Sequence, residues 1–401
     1  MSFQLGIDVF LADKERHDSL KNKRLALLAH PASLTRGFVP TADAIAACDV
    51  LNLVACFGPQ HGMRGDKQDN MVETPNEMDA KLGIPVFSLY GEVRRPTAEM
   101  LDTFDALLID IQDVGCRIYT FITTLFYLLE DCAASDKHVI VLDRPNPAGR
   151  EVEGFILEAG QESFVGAAEI PMRHGLTLGE AARWYVAYKQ LDVVLDVVAM
   201  QGYEPNSSAG YGWPYELSWV NPSPNLATVN SARVYPGTVL FEGTTLSEGR
   251  GTTRALELFG APDIDIPKIL NVMYELAPQW MDGIRIRECW FEPTFHKFHG
   301  ELCAGIQLHT DYPEYTATTA KPFLVVLLFL KSLRMTMPEY PIWRDFPYEY
   351  EFDRLAIDVI NGGAKLRDWV DDDSSTIEAL EAMLSKDEAA WKQQIQPFLL
   401  Y

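Results

Sequence analysis

The stretch Gly58-Pro59-Gln60-His61-Gly62-Met63-Arg64-Gly65 sets an amide, an imidazole and a guanidinium among three glycines. Glycine lets backbone N–H groups come close to a ligand, so Gln60, His61 and Arg64 read as ligand-holding side chains; the alternative is a plain tight turn. A second loop, Asp110-Ile111-Gln112-Asp113-Val114-Gly115-Cys116-Arg117, carries two carboxylates three residues apart. Such a pair can raise one member's pKa far enough for proton transfer, or each acid can cap backbone or pair with Arg117 or Arg144. Tyr119, close behind, offers a phenol to a sugar ring or simply packs. A third polar loop is Asp143-Arg144-Pro145-Asn146-Pro147.

Further along, Pro171-Met172-Arg173-His174-Gly175-Leu176-Thr177-Leu178-Gly179-Glu180 joins a polar loop to a helix start. Thr177 and Glu180 are spaced as a capping box and are structural on that ground, whereas His174, in a glycine-bounded loop, reads as functional. A metal held by His61, His174 and an aspartate lacks any supporting ligand spacing, so neither a metal nor another cofactor is expected. Asn221-Pro222-Ser223-Pro224-Asn225 is a prolyl-stiffened turn that presents amides such as Asn225 at small entropic loss, or forms a structural corner. The run Phe241 to Thr253 interleaves glycines with Glu242, Glu248, Arg250 and hydroxyls including Thr252. Its two acids would repel phosphate and no Gly-Lys-Ser/Thr is present. A neutral, polyhydroxylated ligand with one anionic handle, taken by Arg250, suits it better.

The first three loops each follow a short apolar run: Val50 to Phe57, Ala106 to Ile109, and Val139 to Leu142. Similar runs at Arg24 to Ala29 and Ile84 to Leu89 alternate with helical patterns, including one from about Ile118 to Ala134. Alternation at this spacing predicts an α/β domain with a mostly parallel sheet covered on both faces. Ligands bind beyond the carboxyl ends of such strands, so the polar loops should converge. Gly202 to Gly260 is so rich in turn residues that loops rather than regular helices are expected, anchored by Trp213, Tyr215, Trp219, Val220, Tyr235 and Phe241. Past Ile264, helices at Ile266 to Leu276, Lys321 to Arg334 and Ile377 to Gln394 and strands at Ile284 to Phe291 and Glu301 to His309 predict a smaller α+β domain. The expected division is residues 1–260 and 261–401. Asp371-Asp372-Asp373 reads as a solvated linker, with Ser375 or Ser374 capping the last helix.

With 401 residues, 47% of them hydrophobic, the chain has ample material for a buried core. A formal charge of -23 argues against nucleic acid and anionic membranes as partners and favours a small-molecule substrate. The six cysteines contain no Cys-x-x-Cys pair and read as reduced thiols. The first residues lack the basic and apolar regions of a signal peptide, which makes the cytoplasm the expected compartment. The apolar run Phe323 to Leu330 falls far short of the ~20 residues of a membrane span and is read as a core element.

In order, FGPQHGMRGD, SLYGE, DIQDVGCRIYTF, LDRPNP, PMRHGLTLGE, PSPN and EGTTLSEGRGTT resemble the motif series of the exo-β-N-acetylmuramidases, the NamZ-type glycoside hydrolases. FGAP, FEPTFHKFHGELCAGIQLH and FDRL extend the similarity over nearly the whole chain. The resemblance implies a Rossmann-like domain followed by a smaller auxiliary domain, an active site between them, and release of N-acetylmuramic acid from non-reducing ends of peptidoglycan. It makes the lactyl carboxylate the anionic handle, with Arg64, Arg117, Arg173 and Arg250 as candidate partners. Family members read Pro-Glu-His-Gly in the first loop, and that glutamate is the favoured catalytic acid; this chain has Gln60. An amide cannot deliver a proton to a leaving oxygen. Either another acid has taken over, with Glu92, Asp110 and Asp113 as candidates, or the protein binds sugar without cleaving it, or the residue was altered.

Overall fold

The computed structural model describes residues 3–68, 71–207 and 211–401. Strands β1 (Arg24–Ala29), β2 (Asn52–Gly58), β3 (Glu77–Met78), β4 (Pro85–Ser88), β5 (Ala106–Asp110) and β6 (His138–Leu142) belong to one sheet. After an antiparallel pair, β7 (Glu153–Ile156) with β8 (Pro171–Arg173), strand β9 (Leu195–Val198) completes that sheet in the order β3-β4-β2-β1-β5-β6-β9. Every neighbouring pair in it is parallel except β3 with β4. Because strand side chains alternate between faces, Leu25, Leu27 and Ala29 of β1 join one core cluster while Ala26 and Leu28 join the other. Both faces are covered, which is why these strands read as nearly continuous apolar runs. From β1 the chain builds outward through β2 and β4, then returns to the other side of β1 for β5, β6 and β9. The carboxyl ends of β1 and β5 therefore form the topological switch point at which ligands of such sheets bind.

Strands β10 (Leu258–Ala261), β11 (Arg285–Phe291) and β12 (Cys303–His309) make a smaller antiparallel sheet in the order β10-β12-β11. The apolar run Phe323 to Leu330 lies in the helix Pro322–Thr336, whose residues are mostly buried. Among the described residues no helix is long and apolar enough to cross a membrane.

Two local expectations are corrected. The glycine- and proline-rich stretch before residue 260 contains a regular helix, Val229–Thr238, with Pro236 inside it. The capping box of Thr228 and Ser231 starts this helix, and packing against Pro322–Thr336 sustains it. A Cβ on Gly237 would stand only 2.1 Å from the Pro322 carbonyl oxygen, so the glycine that weakens the helix signal is what lets the two helices approach. At the last helix, Ile377–Ile395, Thr376 accepts the capping bond from the Ala379 amide, while Ser375 Oγ bonds the Trp369 carbonyl. The division expected at residue 260 falls inside β10, and Val229–Thr238 packs with the helix that follows the second sheet. The last helix returns to the first unit, where Trp391 Nε1 donates to the His174 carbonyl at 2.9 Å.

Candidate active site

Strand β2 ends at Gly58, and the next residues turn sharply enough that His61 and Gly62 adopt φ of 70° and 72°. The Gly62 amide closes this turn on the Pro59 carbonyl at 2.8 Å, so it serves the backbone rather than a ligand. The turn sends Gln60 and His61 into a cavity with about 460 Å3 of atom-free space, partly open to solvent. Tyr119 and Thr120, ahead of the helix Phe121–Ala134, form a second wall. Ser223 and Asn225 come from the prolyl turn, Tyr235 and Glu242 from the Val229–Thr238 helix and the 3-10 turn after it, and Arg250 from the glycine-rich loop. Tyr348 and Glu349, far along the chain, complete the enclosure.

Two carboxyl groups face this space in different settings. Glu242 is tied to Arg250, Oε1 to Nη2 at 2.7 Å, and its Oε2 accepts the Tyr348 hydroxyl at 2.7 Å. Behind it, Arg250 Nε lies 3.2 Å from Glu248, which also takes Lys297 Nζ at 2.9 Å and lies 3.3 Å from His296. Cations hold Glu248 well below the usual carboxylate range, at about 2, even though its burial works in the opposite sense. Among the described residues Glu349 meets no cation at ion-pair distance. It accepts Gln60 Nε2 at 3.2 Å and the Tyr90 hydroxyl at 2.8 Å. Burial, reinforced by the charge of Glu242, pushes its carboxyl above the usual range, against the pull of those two hydrogen bonds.

Of the residues singled out from sequence, Gln60, His61, Tyr119, Asn225, Glu242 and Arg250 come together around the cavity. The others lie elsewhere, each for a visible reason. Asp110 is fully buried at the end of β5, where it takes Arg144 Nη2 at 2.9 Å and the Thr41 hydroxyl. Asp113 accepts the Gly115 amide at 2.7 Å and faces His174 Nε2 at 3.5 Å. His174 itself is sealed from solvent, and its Nδ1 accepts the Leu176 amide. Arg117 donates to the carbonyls of Phe155, Ile170, Ile360 and Asn361. Arg173 donates to those of Ala148 and Ala320. Glu248 stands behind Arg250, and Thr252 Oγ1 donates to the Gly249 carbonyl at 2.6 Å. Arg64, two-thirds exposed, pairs with Glu77 at 3.0 Å in a neighbouring groove, and Glu92 is exposed to solvent.

Sequence reasoning passed over Thr120, Ser223, Tyr235, Tyr348 and Glu349. The signal for the last two is Tyr348-Glu349-Tyr350-Glu351, where acids alternate with aromatic residues directly before FDRL. Among the described residues no three His, Cys, Asp or Glu side chains gather as metal ligands would.

The chain matches the model of exo-beta-N-acetylmuramidase NamZ, N-terminal, over residues 25–230, and its C-terminal counterpart over residues 233–401. It is 40% identical over 355 residues to the peptidoglycan beta-N-acetylmuramidase NamZ of Bacillus subtilis (strain 168), an alignment spanning 88% of this chain and 82% of that protein. Two crystal structures of DUF1343 family proteins from Bacteroides fragilis NCTC 9343 superpose over all of this chain and 99% of theirs. Their TM-scores are 0.84 and 0.78, at 29% and 27% identity. With both halves matched and that degree of identity, the chain belongs to the exo-beta-N-acetylmuramidase NamZ family.

Proposed function

We propose that this protein is an exo-acting glycoside hydrolase that releases N-acetylmuramic acid from the non-reducing end of peptidoglycan fragments. The observation that carries the reading is a single cavity in which two carboxyl groups, Glu242 and Glu349, stand with the amides of Gln60 and Asn225 and the guanidinium of Arg250. Glycoside hydrolysis asks for paired carboxyl groups flanking the scissile bond, and amides with hydroxyls suit a polyhydroxylated ring. Arg250 is fixed by Glu242 through Nη2 and faces Glu248 through Nε, which leaves Nη1 to meet the lactyl carboxylate. His61 Nδ1 donates to the Lys67 carbonyl at 3.0 Å, which fixes the ring at the cavity wall.

A net charge of -23 favours a small substrate over nucleic acid. The cysteines are all free and five of the six are buried, which supports a reducing compartment and hence cytoplasmic turnover of internalised wall fragments. The test is release of a chromogenic aglycone from a β-N-acetylmuraminide by the purified protein, with the freed sugar identified by mass spectrometry. Binding of the sugar without release would instead make this a non-catalytic amino-sugar-binding protein.

A further inference from the structure

Residue 60 is a glutamine, and a carboxamide has no proton to give a leaving oxygen. We infer that Glu349 delivers that proton and that Gln60 holds its carboxyl group in position. The inference rests on the glycosidase reading above and names the acid which that reading requires.

Glu349 shares the cavity with Gln60 and stands 3.2 Å from its amide nitrogen. Thr120 donates to Gln60 Oε1 at 2.6 Å, and Nε2 at the other end of the amide faces the carboxyl. Tyr90 holds the second carboxyl oxygen at 2.8 Å. Glu349 and Tyr350 adopt φ of 46° and 68°, left-handed conformations that carry a cost for residues with side chains and concentrate at functional sites. Burial keeps the Glu349 proton on at pH values where an exposed glutamate has lost it. The other carboxyl group at the cavity, Glu242, is in an ion pair with Arg250, a setting suited to stabilise positive charge at the anomeric carbon. Among the described residues no other acid lines this space: Glu92 is exposed, Asp110 and Asp113 are held by Arg144 and the Gly115 amide, and Glu248 lies behind Arg250.

The step balances without any co-reactant beyond water. The bond between the anomeric carbon and the leaving oxygen breaks with its electron pair on that oxygen, which takes the Glu349 proton. The anomeric carbon gains the hydroxyl of a water molecule, and the remaining proton of that water restores the Glu349 acid form.

The experiment compares two substrates of the purified full chain: a disaccharide whose leaving group is a sugar alcohol, and 2,4-dinitrophenyl β-N-acetylmuraminide, whose leaving group departs as an anion. Glu349→Gln is expected to lower kcat on the disaccharide by roughly 10²- to 10⁴-fold, the usual worth of general acid catalysis, and on the dinitrophenyl substrate by less than about tenfold. Binding of N-acetylmuramic acid, followed by calorimetry, should persist. Equal losses on both substrates, or none on either, would overturn the inference while leaving the glycosidase reading intact. Failure of the unaltered protein to cleave either substrate would overturn that reading instead, and the inference with it. Should Glu349→Gln not fold, Gln60→Ala decides. It removes a donor that favours the ionised carboxyl, so the alkaline limb of the kcat profile should move to higher pH; a limb that stays in place overturns the role of Glu349.

Discussion

The hydroxyl of Thr120 donates to Gln60 Oε1 at 2.6 Å, while Nε2 at the other end of the amide donates to Glu349 at 3.2 Å. Oxygen and nitrogen of a carboxamide are nearly equal in size, so the hydrogen-bond partners at its two ends, here the Thr120 hydroxyl and the Glu349 carboxyl, tell them apart together. Thr120 is held in turn as the residue from which the helix Phe121–Ala134 begins.

Thr120→Val keeps the shape and removes the donor. The amide then loses one of its two partners, and kcat on the disaccharide is expected to fall roughly 5-fold, in line with the loss of one net hydrogen bond of about 1 kcal/mol. Thr120→Ser should restore most of it. Steady-state kinetics of the two variants side by side check this, and equal losses in both would remove the orienting role.

Arg250→Lys tests the anionic handle. Lysine keeps the charge but not the planar fork that can meet Glu242, Glu248 and a ligand carboxylate together. KM for N-acetylmuraminides should rise about 10-fold or more, while N-acetylglucosaminides, which lack the lactyl carboxylate, should show little further change. A parallel loss on both sugar types would mean that Arg250 serves only Glu242.

Glu153 predicts a pH dependence of stability. It is fully buried in β7, and its Oε1 accepts the Leu324 amide at 2.9 Å. Arg173 approaches only to 3.9 Å and donates to carbonyls instead, so burial prevails and raises the carboxyl from 4.5 to about 7. The folded state then holds a proton that the unfolded chain has released. This contribution is fully present below pH 4.5 and is lost as pH rises through about 7, with roughly 3 kcal/mol as an upper bound. Glu153→Gln stays neutral and keeps the acceptor for Leu324. Urea unfolding at pH 5 and pH 8 should show a smaller difference in the variant; an unchanged difference would assign the slope to other groups.

Arg117→Met should destabilise the fold by about 3 kcal/mol or more, since it leaves four carbonyls, drawn from segments 155–170 and 360–361, without their donor. Chemical denaturation measures this. An enzyme of normal stability with raised KM would instead mean that Arg117 reaches the substrate.

The sequence carried most of the architecture. Coverage of both faces of the sheet left unbroken apolar runs at β1, β5 and β6, and the polar segments had to follow their carboxyl ends because parallel strands all point one way. Gln60, His61, Glu242 and Arg250 were legible because glycine-rich loops bearing several charged or amide groups have few structural uses. The sequence did not distinguish Arg250 from Arg117 or Arg173, three arginines in similar glycine-flanked loops. That depends on which carbonyls or carboxylates the fold brings within 3 Å, and the partners of Arg117 include residues about 240 positions away. Glu349 was hidden for the same reason. A glutamate between two tyrosines is unremarkable along the chain, and only the closure of a contact spanning 289 residues buries it against Gln60, where loss of solvation changes its proton affinity. Local sequence sets strands, caps and turns because those follow from short-range geometry. Burial and pairing of a polar group are set by what packs over it, and that exists only in the folded chain.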